Sequence, residues 1–277
     1  MRFSILAATL YASALPGIAQ ATIGPPIGYG AANTIYLVNP DGTGLTAVYR
    51  APKKAILTSF DLHPGGGEVA LIENKKLKVL QYDERGVATG PARSISIPCA
   101  VILEADYGPD GALAVKDGCA PNHLWRVAPG ASAADPSPLL TDPDTLDDVK
   151  WSRDGSRIYY DALDGIRALD VATKTSSVVY PESHTMWDVT DSGDRLILAS
   201  TNFNYFVHDF SSNADTNGCT QAYVVHYGNN DAQMVYRSPA SHGGGSYILL
   251  TNSDCSGAPF RITGKAGAYL GPDWAAP

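Results

Sequence analysis

The 277-residue sequence lacks the features that mark the commonest functional classes. It holds no long amphipathic helical stretch, which excludes helical bundles and sheets with helical crossovers. There is no Gly-x-Ser-x-Gly element, so the nucleophile elbow of an α/β-hydrolase is missing. No Cys-x-x-Cys pair occurs, and of His63, His123, His184, His208, His226 and His242 only His123 lies within five residues of a cysteine. The histidines form no i, i+2 or i, i+4 pair, so the reading expects no metal site and no cofactor. No glycine-rich phosphate loop links a strand to a helix. The net charge is −8 and the sequence reads as having no Lys/Arg cluster. Such a chain repels phosphate backbones and anionic membranes, so nucleic acid is not expected as a partner and a basic or zwitterionic one is.

The first residues have a different character. Arg2 is the only charged side chain ahead of an apolar run from Ile5 to Leu15, and Ala19-Gln20-Ala21 follows as a small-residue cleavage site. The run is shorter than the roughly 20 apolar residues that span a bilayer. It reads as a secretory signal over residues 1–21. That leaves a single domain over 22–277, periplasmic or secreted, with no membrane span and expected to be a monomer. Cys99, Cys119, Cys219 and Cys255 suit an oxidising compartment. Four thiols allow three pairings. The reading favours Cys99–Cys119 and Cys219–Cys255, because the repeat set out next brings each pair close.

Short β-branched and aromatic runs alternate with Gly, Pro, Asp and Asn clusters, as in an all-β chain. The clearest unit starts at Leu146. Val149 to Ser152 reads as a strand, Arg153-Asp154-Gly155-Ser156 as a tight turn, and Arg157 to Asp161 as the returning strand. Gly165 to Asp170 and Ser176 to Tyr180 supply a third and fourth. Four antiparallel strands in about 35–45 residues make one propeller blade. The turn glycine recurs at Gly66, Gly111, Gly155 and Gly193, at intervals of 45, 44 and 38 residues. A looser copy is read in Gln233 to Arg237, a Gly243-Gly244-Gly245 turn, and Ser246 to Thr251.

Trp151-Ser152-Arg153-Asp154-Gly155, followed by Ile158-Tyr159-Tyr160, resembles the W-S-P-D-G repeat of TolB-type propellers. Thr34 to Leu45 resembles that family's third strand and the turn after it. Most copies here lack the Trp, and the last lacks the Pro-Asp-Gly turn. TolB itself also carries a separate amino-terminal domain, and the reading expects the propeller alone. Innermost strands are placed near Thr58, Ile102, Val149, Trp187 and Met234, while the amino-terminal segment supplies late strands only. Gly267 to Trp274 echoes Ala105 to Gly111 and would give the innermost strand of the blade that the amino terminus completes. Closure of this kind leaves no long unpaired edge and makes six blades; without the echo, five remain.

Glu104, Asp106, Asp148 and Asp188 lie on or beside expected inner strands, which border the central channel of a propeller. Carboxylates meeting there would be candidate binding or acid/base groups at the channel mouth; alternation would otherwise turn them into blade interfaces. Asp142, Asp144, Asp147 and Asp148 form the densest acidic cluster, without the turn glycine and closing glutamate of a calcium loop, and read as a solvated loop. Ser211 to Gly218 reads as a long exposed loop. His242-Gly243-Gly244-Gly245 matches an oxyanion-hole stretch only in the absence of its partner motif, and reads as a turn. Tyr160, Tyr180, Tyr205 and Tyr223 are assigned to packing between blades. The sum is a non-enzymatic scaffold that binds another envelope or extracellular protein. The alternative is a hydrolase or lyase of a sugar or peptide polymer, which titratable side chains converging in the channel would favour.

Overall fold

A computed structural model describes residues 26–275, apart from 143–146, 183, 191–192, 200–203, 229–230, 241–244 and 265–268. Residues 1–21, Asp144 and the His242-Gly243-Gly244 stretch lie outside the described residues. Among those described there is no helix, and hence none long and apolar enough to cross a membrane.

Among the described residues, twenty-four strands form six four-stranded antiparallel sheets. Blade 1 contains β1 (Ile27–Ala31), β2 (Thr34–Val38), β3 (Thr46–Arg50) and the last strand of the chain, β24 (Tyr269–Trp274). Blade 2 is β4 (Leu57–Leu62), β5 (Glu68–Glu73), β6 (Lys76–Gln81) and β7 (Arg93–Ser94). Blade 3 is β8 (Ile102–Tyr107), β9 (Leu113–Asp117), β10 (Asn122–Val127) and β11 (Leu140–Asp142). Blade 4 is β12 (Asp147–Trp151), β13 (Arg157–Ala162), β14 (Gly165–Asp170) and β15 (Ser176–Tyr180). Blade 5 is β16 (Met186–Val189), β17 (Arg195–Ala199), β18 (Tyr205–Asp209) and β19 (Ala214–Asn217). Blade 6 is β20 (Tyr223–Gly228), β21 (Gln233–Pro239), β22 (Ser246–Asn252) and β23 (Phe260–Arg261).

The turn after each innermost strand explains the repeat. In blades 3 and 4 the amides of Gly111 and Gly155 donate to the carbonyls of Gly108 and Ser152, each at 2.9 Å. Those glycines sit at φ +79° and +70°, where a side chain would be strained. The preceding carboxylates accept from the backbone two residues on, Asp110 from Ala112 and Asp154 from Ser156, both at 2.9 Å.

Packing closes the ring. Six apolar clusters among the described residues each join two neighbouring blades. Tyr160 packs between blades 3 and 4, Tyr180 between 4 and 5, and Tyr205 between 5 and 6. The last junction brings Ile27, Tyr29 and Trp274 of blade 1 against Val235 and Ile248 of blade 6. Among the described residues each blade thus buries both faces against its neighbours.

The structure corrects the sequence reading at four places. Blade 6 begins with β20, not near Met234, which lies on the second strand, β21. After β20, Asp231 takes the positive φ (+62°) that glycine takes elsewhere, so a search for turn glycines passes over this position and stops at Gly243–Gly245, beyond β21. The amino-terminal segment gives three strands, not two. Its first, Ile27–Ala31, carries Gly28 and Gly30, a residue type that weakens strands, but a Cβ on Gly30 would meet that of Leu270 at 2.7 Å. Glycine is thus what allows β1 to approach β24. Within β24, Pro272-Asp273 is strand rather than turn: Pro272 pairs with Tyr29 beside a bulge, a position that tolerates a residue without an N–H. Finally, Ala214–Asn217 of the expected loop forms the outer strand β19, exposed and paired with β18.

Candidate functional site

The six innermost strands, β4, β8, β12, β16, β20 and β24, surround the channel. Near the end of each, one residue precedes a large apolar residue: Asp61-Leu62, Asp106-Tyr107, Lys150-Trp151, Asp188-Val189, His226-Tyr227 and Asp273-Trp274. The first members of these pairs form the waist of the channel. Asp61, Lys150 and His226 border both a cavity of about 330 Å³ on the side of the tight turns and one of about 160 Å³ on the side of the blade-to-blade connectors.

The carboxylates at the waist tie blade to blade. Asp61 accepts from the Tyr107 amide at 2.7 Å, Asp106 from Trp151 at 2.8 Å and Asp188 from Tyr227 at 3.0 Å. Asp273 accepts from the Leu62 amide. Lys150 stands where an aspartate would otherwise reach from blade 4 to blade 5; the Val189 amide at that level donates to Asp188 at 2.8 Å, and nearer the connectors Asp161 of β13 accepts from Met186 at 3.2 Å. At the sixth junction His226 of blade 6 lies 3.6 Å from Asp273 of blade 1, and also 3.6 Å from Asp188 of blade 5.

Charge is balanced mainly by Lys150, whose ammonium is 2.8 Å from Asp106. Burial works against that ammonium, yet Asp106, Asp61, Asp188 and Glu104 hold its pKa well above the usual lysine value. Burial pushes Asp61 and Asp188 well above the ordinary carboxylate range, with Asp273 and Asp106 adding repulsion at Asp61. Asp273 is raised to about 6 by burial, against the pull of Lys150. Glu104 is raised to about 8 by burial and then by Asp148. Burial, followed by Lys150, keeps His226 neutral well below the usual imidazole value.

All four residues singled out in the sequence line this channel, in two separate parts. Asp106 and Asp188 border the turn-side cavity, whereas Glu104 and Asp148 border the connector-side one. Glu104 also bridges blades, accepting from the Val149 amide at 3.2 Å. Of the acidic cluster, Asp142 ends β11 and Asp147 begins β12, so these two belong to strands rather than to a loop. Sequence reasoning missed Asp61, Lys150, His226 and Asp273. The signal available was the pairing of a polar residue with a bulky apolar one at the end of each inner strand.

The disulfides join Cys99 to Cys119 and Cys219 to Cys255, with Cα–Cα distances of 6.1 and 5.6 Å. The first clamps the segment entering β8 to the one leaving β9; the second ties the approach to β20 to the loop after β22. Cys99, Asp117 and Cys119 also cluster as metal ligands do, but their two sulfurs are bonded to each other.

No family model matches the sequence, and no curated protein does. Solved structures do match. The crystal structure of TolB from Acinetobacter baumannii superposes with a TM-score of 0.74 at 12% identity, over 93% of this chain and 68% of that one. The chain has the TolB-like six-bladed propeller fold. A structure from Agrobacterium tumefaciens, provisionally assigned as TolB, matches with a TM-score of 0.66 at 12% identity, over 90% of this chain and 97% of that one. Likeness at this identity extends to the fold, and what a TolB-like propeller does is decided by its site.

Proposed function

We propose that this TolB-like propeller is an exported, non-enzymatic scaffold that holds a protein partner over the turn-side mouth of its channel. The observation that carries the reading is the way the waist is built. Asp61, Asp106, Asp188 and Asp273 each bond the amide of the next blade, so their convergence is accounted for by ring closure. Above them lies a preformed cavity rimmed by turns of several blades, including Pro64-Gly65, Pro109 and Ser152-Arg153. A rigid ring presenting loops around a concave mouth is suited to docking a partner at low entropic cost. The net charge of −8 favours a basic or zwitterionic partner at the mouth. The two disulfides and the leader-like first 21 residues support an oxidising periplasmic or extracellular setting.

The test is affinity capture from an envelope fraction with residues 22–277. One protein should be retained by the parent and lost by Pro109→Arg, which adds bulk and positive charge at the rim. Retention of nothing, or capture unaffected by Pro109→Arg, would overturn the proposal.

One observation favours a second reading, a hydrolase or lyase of a sugar or peptide polymer. His226, kept neutral by burial, sits between Asp188 and Asp273 as a general base would. Turnover of such a polymer that vanishes in His226→Gln would establish it. Insensitivity of that turnover to EDTA would reject its metal-dependent form.

A further inference from the structure

The connector face of blade 2 carries a feature that linear sequence hides. Lys53 and Lys54 lie in the loop between β3 and β4, and Lys75 and Lys76 at the turn between β5 and β6. Two bonds of 2.9 Å hold loop and turn together, from the Asn74 amide to the Ile56 carbonyl and from the Ile56 amide to the Asn74 side chain. The turn itself is tight, with Asn74 and Lys75 at φ +52° and +64°. All four lysines are exposed, and none has an ion-pair partner among the described residues. Two pairs that look isolated in sequence thus become one basic patch on a protein of net charge −8. Arg50, exposed at the end of β3, leads into it.

Aliphatic side chains are set among these ammonium groups. Ile56 is 65% exposed at the centre of the patch. Leu103, 44% exposed, follows Ile102, whose amide bonds the Lys75 carbonyl at 2.9 Å. The Cys99–Cys119 bridge clamps this edge, and Gly118, beside Cys119, packs near Leu103. Ammonium groups around exposed aliphatic tips, on turns fixed by backbone bonds, make a preorganised surface.

We propose that this patch docks an acidic protein segment bearing aliphatic side chains, at a site independent of whatever occupies the channel mouth. Charge complementarity selects the occupant: carboxylates meet the lysines, while leucine- or valine-like side chains cover Ile56 and Leu103. An extended anionic surface such as a membrane fits less well, because it would also face the Asp148 carboxylate at the neighbouring channel mouth.

Fluorescence anisotropy with residues 22–277 and a labelled peptide of alternating Glu and Leu tests this. Saturable binding in the micromolar range, weakening as salt rises, is expected. K53E/K54E/K75E/K76E should weaken it at least about tenfold, and Ile56→Ser severalfold, with both variants melting like the parent. The same peptide with Lys in place of Glu should not bind. Absence of saturable binding, or affinity unchanged by the charge reversal, would overturn the proposal. So would tighter binding of the parent to phosphatidylglycerol vesicles than to the peptide.

Discussion

Removing Asp106 tests the idea that the waist carboxylates hold the ring shut. Its carboxylate accepts from the Trp151 amide and pairs with Lys150, both at 2.8 Å, and Asp106 itself is 7% exposed. Asp106→Ala strands a buried N–H, worth about 1–3 kcal/mol. It also takes the nearest partner from a buried ammonium, for which losses of about 3–5 kcal/mol are typical. The two overlap, so the expected destabilisation is about 3–5 kcal/mol. Asp106→Asn keeps an oxygen for the amide and should lose only about half of that. Adding Lys150→Met to Asp106→Ala removes the stranded charge, and the double-mutant cycle should show a coupling of about 2 kcal/mol. Urea unfolding followed by tryptophan fluorescence and circular dichroism measures each variant. A cost below about 1 kcal/mol for Asp106→Ala, or additive behaviour with Lys150→Met, would refute the reasoning.

Three other outcomes are expected. Glu104, raised from 4.5 to about 8, and Asp273, raised from 3.8 to about 6, favour the fold in their protonated forms, so their contribution falls as pH rises through those values. His226 is lowered from 6.5, so its contribution grows as pH rises toward 6.5 and is complete above it. Stability should therefore decline from pH 6.5 to 8, and Glu104→Gln should flatten that decline in urea midpoints taken across the range. Gly30→Val should open the seam between β1 and β24 by clashing with Leu270, lowering the melting temperature by at least several degrees in a thermal scan. Cys219→Ser with Cys255→Ser removes a bridge closing a 36-residue separation and should cost about 3–4 kcal/mol in denaturant unfolding.

The fold was legible wherever the turn after the innermost strand used glycine. Gly66, Gly111, Gly155 and Gly193 marked four blades because positive φ restricts the residue type. Blade 6 escaped because Asp231 fills that position, and misplacing its first strand hid His226. The closing strand was found from its likeness to Ala105–Gly111, but the register was wrong. Asp273 takes the place of Asp106 in the ring rather than that of Asp110, because a bulge at Tyr29/Gly30 lets Pro272 lie within the strand. Placement on or beside the expected inner strands gave these carboxylates without revealing that several reach the next blade's amides, since that depends on strand spacing across a junction. The lysine patch was illegible for a similar reason: two hydrogen bonds between Ile56 and Asn74 bring its halves together.

Site-specific photo-crosslinking tests the scaffold reading most directly. A benzoylphenylalanine placed at Pro109, on the turn-side rim, should join the chain to one envelope or extracellular protein when the cells are irradiated. The same residue at Glu84, between β6 and β7, should give no such adduct. Equal labelling from both positions, or no protein adduct from Pro109, would contradict a partner docked over the channel mouth.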